Sequence, residues 1–332
     1  MKRLIILFAI MVFLAGGAYF AKEYAGDKGN TSIDTSDRKF AFDDKDDIAK
    51  IIINRADKKV NTFTNKKGRW YINDYLVADY KINLLLNAIT KIRVENLPPK
   101  TGHQTIFKSI KENGINVQVY NKSGKKVRAY DIGPDATNDR CTYLVLEGFK
   151  QPYCMNISGF GSLRSRFNQD VALWRDVAIY RLAEDEIASV KMEYNKDYTS
   201  SFEITNEGGK VSVIDIGGKT KGQQINEAKV KSYLSAFREL NGEGYDNDYI
   251  LRDSINTLLP FATVTVQETN GKVKSMKLFP MAEMIDPEDE SFDAEDALRL
   301  EKYFVEISNG DFMVAQQKLL KPIMRPNSYF WE

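Results

Sequence analysis

One pattern of apolar residues occurs twice in this 332-residue chain, and it restricts the fold more tightly than any other feature. Ile82, Leu85, Leu86, Ile89 and Ile92 fall on one face of a helix, and Val230, Tyr233, Leu234, Phe237 and Leu240 repeat that spacing 148 positions later. Asp79 and Asn226 stand just before these helices as candidate N-caps. Upstream of each helix lies a similar strand, Ile48 to Ile53 in one half and Ile187 to Met192 in the other. Short strands follow each of these, including Arg69 to Asn73 and Lys210 to Ile216. Downstream, Val117 and Val119 lead into a turn at Gly124, and Val264 and Val266 lead into Gly271. Tyr143-Leu144-Val145 before Gly148 then matches Tyr303-Phe304-Val305 before Gly310. A single amphipathic helix is commonplace. Four matches in one order predict an internal duplication.

The expected fold class is therefore α+β: two similar β-rich lobes, each an antiparallel sheet with one packed amphipathic helix, after an N-terminal transmembrane helix. A length of 332 residues suits two domains better than one core. The expected limits are 40–170 for the first lobe and 171–332 for the second, with the seam near Gly159 to Tyr180.

Lys2 and Arg3 precede Leu4 to Ala21, eighteen residues without a charge. A helix of that length spans roughly 27 Å, close to the hydrocarbon thickness of a bilayer. Residues 1–22 are accordingly expected to form a transmembrane anchor, or else a signal segment, since Ala15, Gly16, Gly17 and Ala18 could offer a cleavage site. With the positive charges first, both readings put the rest of the chain on the outer side of an inner membrane, in the periplasm. Residues 23–39 read as a flexible, solvated spacer. Beyond residue 30 the chain carries 43 basic and 44 acidic side chains, so no overall attraction to nucleic acid or anionic lipid is expected.

Candidates for chemistry are sparse. His103, the chain's one histidine, follows Pro98-Pro99 and is expected in a solvent-exposed loop, with no partner to orient it for acid–base work. A disulfide between Cys141 and Cys154 is permitted outside the cell. If the hairpin turns near Phe149-Lys150, however, Cys154 faces a residue near Val145, roughly 13 Å along the strand from Cys141, and two separate thiols are expected. The acidic runs Asp43 to Asp47 and Asp286 to Asp296 lack the alternation, central Gly and closing Glu of a calcium loop, and read as solvated loops. Neither a phosphate loop nor a nucleophile elbow is visible. No metal, cofactor or catalytic residue is assigned.

Two stretches stand out from this background. Leu173-Trp174-Arg175-Asp176 falls at the seam, preceded by Phe160 and Arg166, and Trp beside Arg is a frequent choice at recognition surfaces. Trp174, Arg175, Asp176, Arg166 and Phe160 are therefore the candidate binding residues. The same residues also suit a joint, with Trp174 plugging one lobe and Arg175 bridging to Asp176 or to backbone carbonyls. The terminal Tyr329-Phe330-Trp331 is expected to pack back onto the second lobe.

Taken in order, Phe42 with Ile48–Ile53, Gly68-Arg69-Trp70-Tyr71-Ile72-Asn73, Leu84-Leu85 with Ile89, Tyr143 to Gly148, Gly159-Phe160, Leu173 to Asp176 and Tyr329-Phe330 resemble an uncharacterised family of Bacteroidetes-type bacteria, domain of unknown function 4340. Cys154 and Gly161 depart from that pattern. The resemblance implies one N-terminal membrane helix, a large outer domain, and genes often adjacent to ABC transporter components of the gliding-motility type. It carries over no catalytic residue. The expected function is thus a non-catalytic, membrane-anchored scaffold or accessory subunit of an envelope complex, with envelope or inner-membrane proteins as partners. A module binding envelope glycan or peptide at the seam is the alternative. A hydrolase using two carboxylates is a third, and would need two Asp or Glu side chains converging in a cleft.

Overall fold

The computed structural model describes residues 36–137, 140–159, 162–218, 224–281 and 302–331. The expected membrane segment, most of the spacer, the acidic run from Asp286 and the candidate Phe160 lie outside the described residues. Among the described residues no helix is long and apolar enough to cross a membrane. The structure is mostly antiparallel β-sheet with a few helices.

In chain order the strands are β1 (Ile48–Asn54), β2 (Val60–Lys66), β3 (Arg69–Ile72), β4 (Tyr75–Leu76), β5 (Arg93–Asn96), β6 (Ile115–Asn121), β7 (Lys126–Asp135), β8 (Thr142–Leu146) and β9 (Tyr153–Asn156). There follow β10 (Ala178–Tyr180), β11 (Ile187–Tyr194), β12 (Phe202–Glu207), β13 (Lys210–Asp215), β14 (Leu240–Asn241), β15 (Gly244–Tyr245), β16 (Ala262–Glu268), β17 (Val273–Pro280), β18 (Lys302–Ile307) and β19 (Phe312–Gln316). Among the described residues, three helices exceed two turns: α1 (Asp79–Lys91), α2 (His103–Asn113) and α3 (Glu227–Ser235).

The chain divides into two compact units. One holds residues up to Val60 together with Leu84–Asn168, and the other holds Asn61–Asn83 with Gln169 onward. The chain thus passes from one unit to the other three times, once within α1.

In the first unit, six strands lie side by side in the order β1-β6-β7-β8-β9-β5. Alternation explains their faces: Ile51 and Ile53 of β1, and Val117 and Val119 of β6, are buried, and Ile51 pairs with Val119. Helix α2 lies against β7, where a Cβ on Gly133 would collide with the buried Ile110 side chain. His103 is the first residue of α2 and not part of a loop, with its Nε2 2.7 Å from the Pro98 carbonyl oxygen. Asp44 accepts from the backbone N–H groups of Asp46 and Asp47 at 3.1 and 3.0 Å, so the first acidic run is a capped turn entering β1.

Cys141 and Cys154 form a disulfide, with Cα atoms 5.4 Å apart, and this overturns the expectation of two thiols. The register explains the difference: Tyr143, not Val145, faces Cys154. A two-residue slip moves Cys154 about 7 Å towards Cys141 and brings the pair within bridging range.

In the second unit, the sheet order β11-β16-β17-β18-β19-β15 has the same form, with β12 and β13 continuing beyond β11. Val190 pairs with Val266 and Met192 with Val264, all buried. Asn226 caps α3, its Oδ1 accepting from Lys229 N at 3.1 Å. Asp79, by contrast, is the first helical residue of α1, one place inside the cap position expected for it. Val230, Tyr233 and Leu234 of α3, with Phe237 and Leu240, join the buried core of this unit. Phe330 closes that core against Phe202 and Tyr233, and Trp331 Nε1 donates to Asn327 Oδ1 at 3.0 Å. The terminal aromatics are thus packed.

One irregularity recurs. The β1–β6 register shifts between Ile48 and Lys50, and the β11–β16 register shifts between Ile187 and Ser189. These positions match one another in the sequence alignment of the two halves, as do the strands that face them.

Candidate functional site

The second unit contains a cavity of about 400 Å³ whose lining includes Arg175 and Asp176. One wall comes from the ribbon β2-β3-β4. Asn73 and Asp74 both have positive φ, 44° and 81°, as the two central residues of a tight hairpin between Ile72 and Tyr75. Asn73 Oδ1 accepts from Thr62 N at 2.9 Å and holds that turn. The hairpin presents Tyr71, Asp74 and Tyr75 to the cavity.

The Leu-Trp-Arg-Asp stretch lies beside this ribbon. Val77 and Arg175 form an antiparallel bridge, Ala78 N donates to Trp174 O at 3.1 Å, and Asp176 N donates to Leu76 O at 2.8 Å. Trp174 is the last residue of the short helix Val171–Trp174 and Arg175 is the extended residue that leaves it, and the two side chains enter different surroundings. Trp174 is only 2% exposed and packs edge-on to Phe63 with ring centres 4.9 Å apart. Its Nε1 finds no acceptor among the described residues.

Arg175 is 6% exposed. Its guanidinium lies between two rings, 3.9 Å from the centre of Tyr75 and 3.6 Å from the centre of Tyr245. The expected partners, Asp176 or backbone carbonyls, are not the ones found: Arg175 pairs with Asp311 at 2.7 Å, and Asp176 pairs with Arg181 at 2.7 Å. Asp311 sits at the tip of the β18–β19 hairpin and also accepts from Asn309 Nδ2 at 2.9 Å and Asn247 Nδ2 at 3.3 Å. Burial alone would raise its carboxyl, but the hydrogen bonds from Arg175, Asn247 and Asn309 outweigh burial and hold it below the usual carboxylate range. Tyr245 donates its hydroxyl to the Asp176 carbonyl at 2.8 Å. Its phenol is raised, chiefly by burial.

Lys274 of β17 completes the basic part of the lining. Its Nζ donates to the Ile179 carbonyl, and burial, helped by Lys272, pushes its ammonium below the normal lysine range. The charged groups here are thus largely turned on one another: two Arg–Asp pairs, one buried lysine on a carbonyl. Such an arrangement can fasten elements together and can donate hydrogen bonds to a polar ligand lying over exposed tyrosine.

The five residues proposed from sequence do not gather at one place. Arg175 and Asp176 line this cavity, Trp174 is packed behind it, Arg166 belongs to the first unit, and Phe160 lies outside the described residues. Tyr75, Tyr245 and Asp311, which define the geometry around Arg175, carry no local sequence signal. No group of three or more His, Cys, Asp or Glu side chains is arranged for a metal among the described residues.

No protein-family model matches the chain, and no curated protein matches it.

Proposed function

We propose that the protein is a non-catalytic scaffold or accessory subunit, anchored by its N-terminal segment in an inner membrane and working on the outer face with membrane proteins of the envelope. The disulfide between Cys141 and Cys154 supports an oxidising, extracytoplasmic location. The duplicated strand order with its matching bulges supports two copies of one β-rich unit, an architecture rich in surface for contacts.

The observation that carries the reading is an exposed apolar set at the two ends of the short helix Arg252–Asn256. Ile250 is 90% exposed and Leu259 62% exposed, with Leu251 and Leu258 exposed beside them. Apolar side chains gathered on a surface mark sites of contact. An anchor at residues 1–22 would place the partner at the same membrane, and the family resemblance suggests components of an ABC transporter.

The test is cross-linking of the full-length protein in native membranes, compared with Ile250→Asp and Leu259→Asp. Stoichiometric recovery of inner-membrane transport subunits, lost in both variants, is the expected result. Recovery of the protein alone, or of partners indifferent to these variants, overturns the reading.

The cavity beside Arg175 favours a second reading, a glycan- or peptide-binding module. Tyr71, Tyr75 and Tyr245 offer aromatic faces, and Asn309, Arg181 and Asp176 offer donors and acceptors. Saturable binding of an envelope saccharide or peptide, abolished by Tyr71→Ala, would support it.

A further inference from the structure

Taking the cavity beside Arg175 as a glycan site, we infer that its ligand is an acidic saccharide, one whose carboxylate is held by Lys274. The charges of the lining decide this. Arg175 is paired with Asp311 and Arg181 with Asp176, each at 2.7 Å. Asp74, the remaining carboxylate, is exposed on its hairpin and lies 3.7 Å from the Lys66 ammonium. Lys274 is the exception. Its ammonium donates to the Ile179 carbonyl and lies 5.1 Å from the centre of the Tyr180 ring. Among the described residues no carboxylate comes within ion-pair distance of it. An ammonium carries three N–H donors, so two remain for a ligand. Burial disfavours its charge, and an anion bound beside it would offset that penalty.

Lys274 is fixed next to the paired groups. Ser308 N donates to Ser275 O at 2.9 Å, and Ser275 N donates to Ser308 Oγ at 3.0 Å. These bonds set Lys274, on β17, beside the turn that carries Asn309 and Asp311. The Tyr180 hydroxyl donates to the Lys274 carbonyl at 2.8 Å and ties that backbone to β10. Asp311 is near enough to act on the ammonium electrostatically without pairing with it. The same carboxylate accepts from Asn309 at 2.9 Å and from Arg175. The lone cation and the donor–acceptor pairs therefore adjoin.

One unpaired cation matches one negative charge. A phosphate dianion would bring a second charge against Asp74, Asp176 and Asp311, and a neutral sugar would leave the ammonium uncompensated. The pairs supply what the rest of a saccharide needs. Arg181 beside Asp176, and Asn309 beside Asp311, each set a donor next to an acceptor, as neighbouring hydroxyls do. A peptide is disfavoured because the extended backbone here is already paired. β4 has β3 on one side, and on the other Asp176 N donates to Leu76 O, so strand addition is closed. The volume of about 400 Å³ lies within the roughly 300–1,000 Å³ usual for small ligands.

The test is saturation-transfer NMR on the full-length protein, in a polyoxyethylene detergent at low salt, with two matched pairs of sugars. Methyl glucuronide is compared with methyl glucoside, and N-acetylmuramic acid with N-acetylglucosamine; the first of each pair carries the carboxylate. The expected result is saturable binding in which at least one acid binds about tenfold tighter than its neutral partner, the worth of one charge-assisted hydrogen bond. Lys274→Met should abolish that preference and leave the weaker neutral binding, whereas Lys274→Arg should keep it. Lys111→Gln, in the other unit, should change nothing. Should Lys274→Met fail to fold, Lys274→Gln decides, because its amide can still donate to a carbonyl. Equal affinity for acid and neutral sugars, or a preference indifferent to Lys274 substitution, overturns the inference and leaves the glycan reading standing. Binding of none of the four sugars overturns both.

Discussion

A guanidinium nitrogen of Arg175 lies 2.7 Å from Oδ2 of Asp311, although 136 residues separate the two in sequence. Both side chains are nearly buried, so each depends on the other for its charge to be tolerated. Removing one leaves an uncompensated buried ion. Arg175→Met should therefore cost about 3 kcal/mol in urea denaturation. Arg175→Lys should also destabilise, because an ammonium cannot lie flat between Tyr75 and Tyr245. A double change, Arg175→Met with Asp311→Asn, should recover part of the loss. Additive losses would show that the two residues act independently.

The same pair predicts an acid dependence. Folding lowers the proton affinity of the Asp311 carboxyl, so protonation favours the unfolded chain. Its contribution is complete above the ordinary aspartate range near 3.9, and is lost as pH falls through the lower folded value. The stability gap between the native protein and Asp311→Asn should be widest near neutrality and shrink below about pH 4. A gap that stays constant into acid would mean that the carboxylate charge is not what stabilises this corner.

The disulfide closes a short loop, its cysteines being 13 positions apart in sequence. Chain-entropy arguments put its worth at about 3 kcal/mol. Cys141→Ser should lower stability by about that amount, and reductant should bring the native protein to the same level. Thiol labelling in denaturant without reductant should find no free cysteine. Labelling of two thiols per chain would refute the bridge.

Trp174 is expected to act through packing. Trp174→Ala should cost about 3–5 kcal/mol, as for other large buried side chains. Trp174→Phe should cost much less, since the indole N–H makes no bond among the described residues that could be lost. A Trp174→Ala protein as stable as the native one would place the indole on the surface and reopen it as a ligand contact.

The helices and hairpins were legible in sequence because they rest on local signals. Ile82 to Ile92 and Val230 to Leu240 follow the helical period, and Gly124, Gly148, Gly271 and Gly310 adopt the positive φ their turns require. Register was not legible. Two residues of slip between β8 and β9 decide whether Cys141 meets Cys154, and no residue type announces that slip. The bulges at Ile48 and Ile187 were hidden for the same reason, since a bulge belongs to a pair of strands. At the cavity, the Arg175-Asp176 dipeptide drew attention by composition, but Tyr75, Tyr245 and Asp311 are ordinary residues of hairpins and edges. Only the fold makes them neighbours.

The assignment of Asn61–Asn83 to the same unit as Gln169 onward has a practical consequence for any attempt to take the protein apart. A fragment beginning near residue 170 would omit the ribbon that bears Phe63 and Tyr75, exposing the Trp174 ring and uncovering one face of Arg175. A fragment ending there would carry that ribbon without the Trp174 and Arg175 side chains that pack on Phe63 and Tyr75. Neither half is a complete folding unit, and a single cut in the gene cannot make one. Circular permutation or co-expression of the two pieces, which keep both segments available to each other, is the route by which the units could be separated and still fold.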